Sequence, residues 1–298
     1  MQTDLAQQTY LVTGATSGIG LAAAEILARR GASILGVGRS AERCREMEIQ
    51  LGKKYPHAQV DYLLADLSRQ SDVRHLAEQV GNRLTAQGQT ALNGLLNNAG
   101  TFTYWLAFTP DGFETQWAVN HLAPFLLTHR LLPFLQAALW SRVVTVSSAS
   151  HYGARLNWDD IQHRRHYNGL RAYGSTKLAN VLFTMELDRR MGTQFPVRAF
   201  AADPGLVRTD IGFKGTPAFA NWVWKLRRTG GISAEQSAEG IVYLLTEPSL
   251  QTASACYWKH GRPKSPSRLA QDFLAASRLW ALSEQMTGLA EGVHHGES

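Results

Sequence analysis

Short apolar runs alternate with amphipathic stretches along almost the whole chain. Residues 10–12 form an apolar run that leads straight into Gly14-Ala15-Thr16-Ser17-Gly18-Ile19-Gly20, and residues 21–30 then space their apolar side chains as a helix does and stop at Gly31. This predicts strand, glycine turn and helix. Residues 32–37 predict a second strand, 41–55 a charged amphipathic helix, Val60–Leu64 a third strand and 71–84 another helix. Buried strands follow at 92–96, 142–146 and 197–201, separated by helices near 112–138 and 171–191. Strands that alternate with helices are joined by crossovers, which place helices on both faces, so the pattern predicts an α/β fold with one doubly wound parallel sheet of about seven strands.

Beyond Ala202 the pattern loosens. Residues 204–230 carry glycines, prolines and the large aromatics Phe213, Phe219, Trp222 and Trp224, as a lid or another substrate-facing excursion would. A helix resumes at 233–245 with Ser233 as its N-cap, 254–258 predicts an edge strand, Pro263 and Pro266 mark a turn, and 267–286 reads as a closing helix. No linker-like stretch divides the chain. Residues 1–298 are therefore expected to be one domain, with a core over 1–202, a lid over 203–230 and a C-terminal helix, edge strand and closing helix over 231–298.

An apolar share of 44% and a charged share of 18% suffice for a sizeable core. The net charge of +6 suits nucleic acid, an anionic membrane or a phosphate-bearing small molecule. Its distribution argues against nucleic acid: basic residues are scattered apart from Arg164 and Arg165 and the group Lys225, Arg227 and Arg228, with no basic sheet or recognition helix. Cys44 and Cys256 are too few for a disulfide framework or a zinc site, which fits a reducing compartment and no metal. The N-terminus lacks a basic-then-apolar signal pattern, and Pro133 and Gln136 interrupt the apolar run from Leu131, so a cytoplasmic protein without an integral membrane segment is expected.

Glycines between a strand and a helix let backbone approach a pyrophosphate, while the helix N-terminus offers unpaired amides and partial positive charge. Gly14, Gly18 and Gly20 are placed for that, although any tight strand-to-helix turn uses glycine too. At the end of the second strand an acid would bind a ribose 2′-hydroxyl and an arginine a 2′-phosphate. Gly38-Arg39-Ser40 offers Arg39 and no carboxylate, which favours NADP(H), against the plainer reading of a solvated arginine. Asp66, just past the third strand, suits either an adenine amino group or a helix cap.

Tyr173 and Lys177 stand four apart on a predicted helix and so share one face. For a phenol to exchange protons near neutrality its ionisation must fall about three pH units, worth about 4 kcal/mol, and a neighbouring ammonium has the right sign for that. Alone, such a pair is usually a surface feature.

Five motifs in order change that weighting: Thr13-Gly14-Ala15-Thr16-Ser17-Gly18-Ile19-Gly20, Asn97-Asn98-Ala99-Gly100, Ser147-Ser148, Tyr173-Gly174-Ser175-Thr176-Lys177 and Pro204-Gly205-Leu206-Val207-Arg208-Thr209. Together they resemble the short-chain dehydrogenase/reductase family over nearly the whole chain. The resemblance implies a single-domain Rossmann fold and a catalytic set of Asn120, Ser148, Tyr173 and Lys177. Tyr173 would be the general acid when a carbonyl is reduced, Lys177 would lower its pKa and hold the nicotinamide ribose, Ser148 would hydrogen-bond the substrate oxygen, and Asn120 would position a water. The implied cofactor set is Gly14, Thr16, Ser17, Gly18, Ile19, Gly20, Arg39, Ser40, Asp66, Leu67, Asn98, Ala99, Gly100, Tyr173, Lys177, Pro204, Gly205, Val207 and Thr209. Ser148 is preferred to Ser147 because the second serine carries the role in family members.

The long separation from Ser148 to Tyr173 implies an insertion at 153–168. With Arg39, Ser175-Thr176-Lys177-Leu178-Ala179-Asn180 and Leu279-Trp280-Ala281-Leu282-Ser283, it resembles the retinol dehydrogenase and WW-domain-containing oxidoreductase branch, which implies apolar aldehydes, ketones or alcohols as substrates. Many such relatives are homodimers or homotetramers. His151 reads as a solvent-facing or hydrogen-bonded bystander, His163-Arg164-Arg165-His166 as a solvated loop, and Phe213 to Arg228 as a lid in preference to an interfacial helix. Two rivals remain: a nonenzymatic NADP(H)-sensing binding protein on the same fold, and a sugar-nucleotide epimerase, whose glycine spacing fits less well.

Overall fold

The computed structural model describes residues 5–192, 194–207, 231–254 and 256–289. Eight strands form one sheet in the order β3-β2-β1-β4-β5-β6-β7-β8. They are β1 Thr9–Thr13, β2 Ser33–Gly38, β3 Val60–Leu64, β4 Gly94–Asn97, β5 Ser141–Val146, β6 Val197–Asp203, β7 Tyr257–Lys259 and β8 Arg262–Pro263. The first seven run parallel, and β8 is antiparallel to β7. β1, β4 and β5 are buried at every position, as strands covered on both faces must be.

The helices are α1 Gly18–Arg29, α2 Ala41–Lys54, α3 Gln70–Ala86, a short α4 Thr115–Trp117, α5 Ala123–Gln136, α6 Gly169–Met191, α7 Ala234–Thr246 and α8 Phe273–Met286. From β1 the chain moves outward through β2 and β3, then returns to β4 on the other side of β1. That reversal opens a crevice at the carboxyl ends of β1 and β4, where doubly wound sheets hold ligands.

The fold is the expected one, and several details differ. The sheet has eight strands because His260 and Gly261, at φ 51° and 69°, make a two-residue hairpin turn that adds β8. β7 is therefore interior, and the edge falls to Arg262–Pro263, where a missing N–H is tolerated. The closing helix starts late: Leu269–Gln271 is a 3₁₀ turn, and Asp272 caps α8 by accepting from the Ala275 amide at 3.0 Å. The helix near 112–138 is divided by a π-helical turn at Ala118–Leu122. β6 ends at Asp203, and of the predicted lid residues 208–230 lie outside the described residues. Val207 pairs with Ile232, so the described chain departs and returns at adjacent points.

α8 seals the outer face of α5 and α6. The Trp280 ring lies 5.1 Å from Phe125, 4.9 Å from His129 and 6.0 Å from Phe183, with the Arg190 guanidinium 4.3 Å above it. Ser283 meets His121 Nε2 at 2.8 Å, so α8 also supports the π turn from behind. No helix among the described residues is long and apolar enough to cross a membrane, and none of their side chains cluster as metal ligands. Truncating Trp280 to alanine should destabilise the protein by about 3–5 kcal/mol through the cavity it leaves, measured as a lower urea midpoint at unchanged slope.

Candidate active site

The glycine turn after β1 is shaped by backbone contact. Gly14 and Gly18 adopt φ 67° and 56°, which side chains disfavour. A Cβ on Gly20 would collide with the Gly14 carbonyl, so only glycine lets α1 start so close to the turn. Ser17 occupies the N-cap without a side-chain cap, leaving the first amides of α1 free for an anion. The Tyr62 hydroxyl crosses β2 to donate to the Ala15 carbonyl at 2.9 Å, and the absence of a side chain at Gly36 makes room for its ring.

Thr13, the last residue of β1, joins this turn to the next. Its hydroxyl donates to the Leu96 carbonyl at 3.1 Å and accepts from the amides of Asn98 and Ala99, both at 3.0 Å. The Asn98 side chain donates to the Thr13 carbonyl at 2.9 Å. Gly14 thus lies against Asn98 and Ala99 across the crevice.

Arg39 is exposed just past β2, and Ser40 caps α2 by accepting from the Arg43 amide at 3.4 Å. Thr16 packs against Gly38, which brings the end of β2 up to the glycine turn. Asp66 does not cap α3; the cap position is Arg69, and Asp66 closes its own loop by accepting from the Ser68 amide at 3.0 Å. Leu67 is half-buried beside it.

Ser148, Tyr173, Lys177 and Asn120 converge beyond β4 and β5. Ser147 turns inward, its hydroxyl donating to the Lys177 carbonyl at 2.8 Å, while the Ser148 hydroxyl stands beside the Tyr173 phenol. The Lys177 ammonium is buried, donates to the Val146 carbonyl at 3.0 Å and lies 5.4 Å from the centre of the Tyr173 ring. Phe102 packs edge-on against that ring at 5.8 Å. Gly100 faces both Asn120 and Lys177: a Cβ there would stand 3.3 Å from Asn120 Oδ1 and 3.9 Å from Lys177 Nζ.

Asn120 occupies the π turn, where Pro124 lacks the amide that an α-helix would direct at the Asn120 carbonyl. Its side chain clamps Thr101, accepting from the amide at 2.7 Å and donating to the carbonyl at 2.9 Å, and also reaches the Thr176 hydroxyl at 3.2 Å.

Burial pushes the Tyr173 phenol up to about 12; the Asp203 carboxylate adds to this and the neighbouring Ser148 hydroxyl opposes it. Burial also draws Lys177 down to about 8. Desolvation therefore leads at both groups. Asp203, at the end of β6, accepts from the Gly205 amide at 2.9 Å and the Tyr257 hydroxyl at 3.1 Å, with Lys259 at 3.9 Å. Gly205 turns at φ 77° under the His260 ring, and the Pro204 carbonyl accepts from Ser237 at 3.1 Å.

A family model described as short chain dehydrogenase matches residues 8–217. The chain belongs to the short chain dehydrogenase family. Within it the chain stands with the retinol dehydrogenase-like branch. It is 35% identical to retinol dehydrogenase 13 of Homo sapiens, over 95% of this chain and 85% of that protein, and 34% identical to polyprenol dehydrogenase of Mus musculus, over 96% and 85%. A crystal structure of an uncharacterized protein from Mycobacterium Paratuberculosis superposes with a TM-score of 0.73 at 34% identity, covering 96% of this chain and 95% of that one. A short chain dehydrogenase from Escherichia coli CFT073 complexed with NADPH shares the fold, with a TM-score of 0.67 at 22% identity over 87% and 99% of the two chains.

Sequence reasoning about this short chain dehydrogenase gave no role to Thr13, Thr101, Thr176 and Asp203. The first was visible as a hydroxyl at a strand end that opens the glycine motif; the others matter through contacts distant in sequence. Among the predicted cofactor residues, Thr209 lies outside the described residues. The loop at 163–166 is tied down more than expected: His163 Nε2 meets Ser175 Oγ at 2.9 Å, and Arg164 donates to the Gly112 carbonyl at 2.6 Å.

A lysine near 8 in the folded state, against 10.5 in the unfolded chain, opposes folding by roughly 3 kcal/mol at neutral pH. The folded state sheds its proton first, so the penalty fades as pH rises from about 8 toward 10.5. Lys177→Met should accordingly raise Tm at pH 7, since the Val146 carbonyl keeps its 3.3 Å bond from Asn180, and calorimetry should find the gain shrinking by pH 10.

Proposed function

We propose that the protein interconverts an apolar aldehyde or ketone and the matching alcohol by NADP(H)-dependent hydride transfer, with Tyr173 as general acid and base. The observation that carries this reading is the meeting of the Tyr173 phenol, the Ser148 hydroxyl and the buried Lys177 ammonium beside the crevice at the carboxyl ends of β1 and β4.

The residues present fit a dinucleotide. Uncapped amides at the start of α1 suit a pyrophosphate, exposed Arg39 suits a 2′-phosphate, and the bare backbone of Gly100 leaves room beside Asn120 and the Lys177 ammonium. Gly14, Thr16 to Gly20, Arg39, Ser40, Asp66, Leu67, Asn98 to Gly100, Tyr173, Lys177, Pro204, Gly205, Val207 and Thr209 would hold it. A nicotinamide supplies the hydride when bound.

The chain's own residues manage the proton. In the reducing direction Tyr173 protonates the substrate oxygen as negative charge develops, and Ser148 stabilises that charge by hydrogen bonding. The phenolate left behind is disfavoured by burial and by Asp203, and Lys177 is the nearby cation that offsets both. Asn120 holds the Thr101 backbone beside Thr176, and its π-turn carbonyl, without an α-helical partner at Pro124, suits a water in a proton relay. Relatives named for retinol and polyprenol, both apolar alcohols, support an apolar substrate.

An NADPH-oxidation screen across apolar aldehydes and ketones should find turnover that Tyr173→Phe lowers by at least about 100-fold while NADPH still binds. Silence of the wild type across the panel, with tight NADPH binding, would instead favour the sensing protein. Arg39→Ala should weaken NADPH binding by about tenfold or more and leave NADH unaffected; equal wild-type affinity for both would sink the cofactor assignment.

A further inference from the structure

The turn that carries Ser148 is held by a residue outside the catalytic set. Ser148 is extended at φ −169°, and a 3₁₀ turn, Ala149–Gly153, follows immediately. Its hydroxyl accepts from the Ser150 amide and donates to the Ser150 hydroxyl, both at 3.2 Å, so its direction depends on how that turn sits. His151 determines the seating. Its amide donates to the Ser148 carbonyl at 3.1 Å, and its Nδ1 meets the same oxygen at 2.8 Å. On the other side of the ring, the Ser267 amide meets Nε2 at 3.1 Å.

These partners dictate one protonation state. A carbonyl can only accept, so Nδ1 carries the hydrogen; a backbone amide can only donate, so Nε2 is bare. The ring is fully buried, with Tyr152 at 4.1 Å and Tyr257 at 4.8 Å. Tyr152 donates to the Ser265 carbonyl at 2.7 Å, which ties the turn a second time to the segment after β8. The ionisable groups around the ring are Tyr152, Tyr257, Asp203 and Lys264; burial holds His151 below the ordinary histidine range, with the Ser148 bond opposing it.

We infer that His151 is a positioning residue for Ser148: a neutral imidazole, protonated on Nδ1, that locks the serine turn to residues 265–267 and thereby aims the Ser148 hydroxyl. The catalytic consequence rests on the function proposed above, but the tautomer and the seating of the turn do not. An unassigned buried histidine is more often mere core filling, so the test must separate aiming from stability.

Three variants do so. His151→Asn places an amide nitrogen where Nδ1 stood, His151→Gln reaches only the Nε2 position, and His151→Phe keeps the stacking ring and loses both bonds. The kcat for NADPH-dependent carbonyl reduction should fall about 100-fold in the Phe variant and be restored to within about tenfold of wild type in the Asn variant alone, with NADPH Kd nearly unchanged. Loss that tracks Tm across all three, with no advantage for Asn, would overturn the inference. Independently of turnover, ¹⁵N spectra of histidine-labelled protein at pH 7 should show the neutral Nδ1–H form, and an imidazolium or Nε2–H form would also overturn it. Should the wild type reduce no carbonyl, the proposed function fails, and the amide resonances of residues 148–150 decide the inference: displaced in the Phe variant and near wild type in the Asn variant if it holds, the same in both if it does not.

Discussion

A buried ammonium is the constraint around which this structure is arranged. Lys177 gives up water and receives in return the carbonyl of Val146, the last residue of β5. The same junction is fastened twice more, by Asn180 donating to that carbonyl and by Ser147 donating to the carbonyl of Lys177. With α6 pinned to the end of β5 in this way, the residue after Ser147 and the residue one helical turn before Lys177 must face one another. Those residues are Ser148 and Tyr173.

The electrostatics of the cluster follow from its dryness. Burial disfavours the charged form of both the phenol and the amine, and the Asp203 carboxylate deepens the effect at the phenol. A site with this balance holds Tyr173 protonated at rest. Asp203 is itself held by Gly205 and Tyr257, and Tyr257 packs on His151, so the loop after β6, the serine turn and the C-terminal segment form one connected support.

The elements were largely legible in local pattern. Seven strands and the main helices stand close to the runs that predicted them, because apolar periodicity reports which faces are covered. The misses share a cause. The π turn arises where Pro124 withdraws a donor from a helix otherwise well patterned, β8 depends on a two-residue turn at His260-Gly261, and the start of α8 was hidden by good helix formers on both sides of Asp272. Asp66 suited an adenine contact or a cap on sequence grounds; the structure excludes the cap.

By itself the sequence determined the alternation of strands and helices, the glycine turn and the order of the motifs, since each depends on residues within a few positions of one another. Only the tertiary structure decided that Thr13 bridges two loops, that Ser147 turns inward while Ser148 meets Tyr173, and that His151 is buried with both ring nitrogens engaged. Those outcomes join residues tens or more than a hundred positions apart, and the crossovers and packing that bring them together are properties of the whole sheet. Short-range pattern can indicate which residues have the right chemistry; the distances and the desolvation that make the chemistry work are set by everything packed around them.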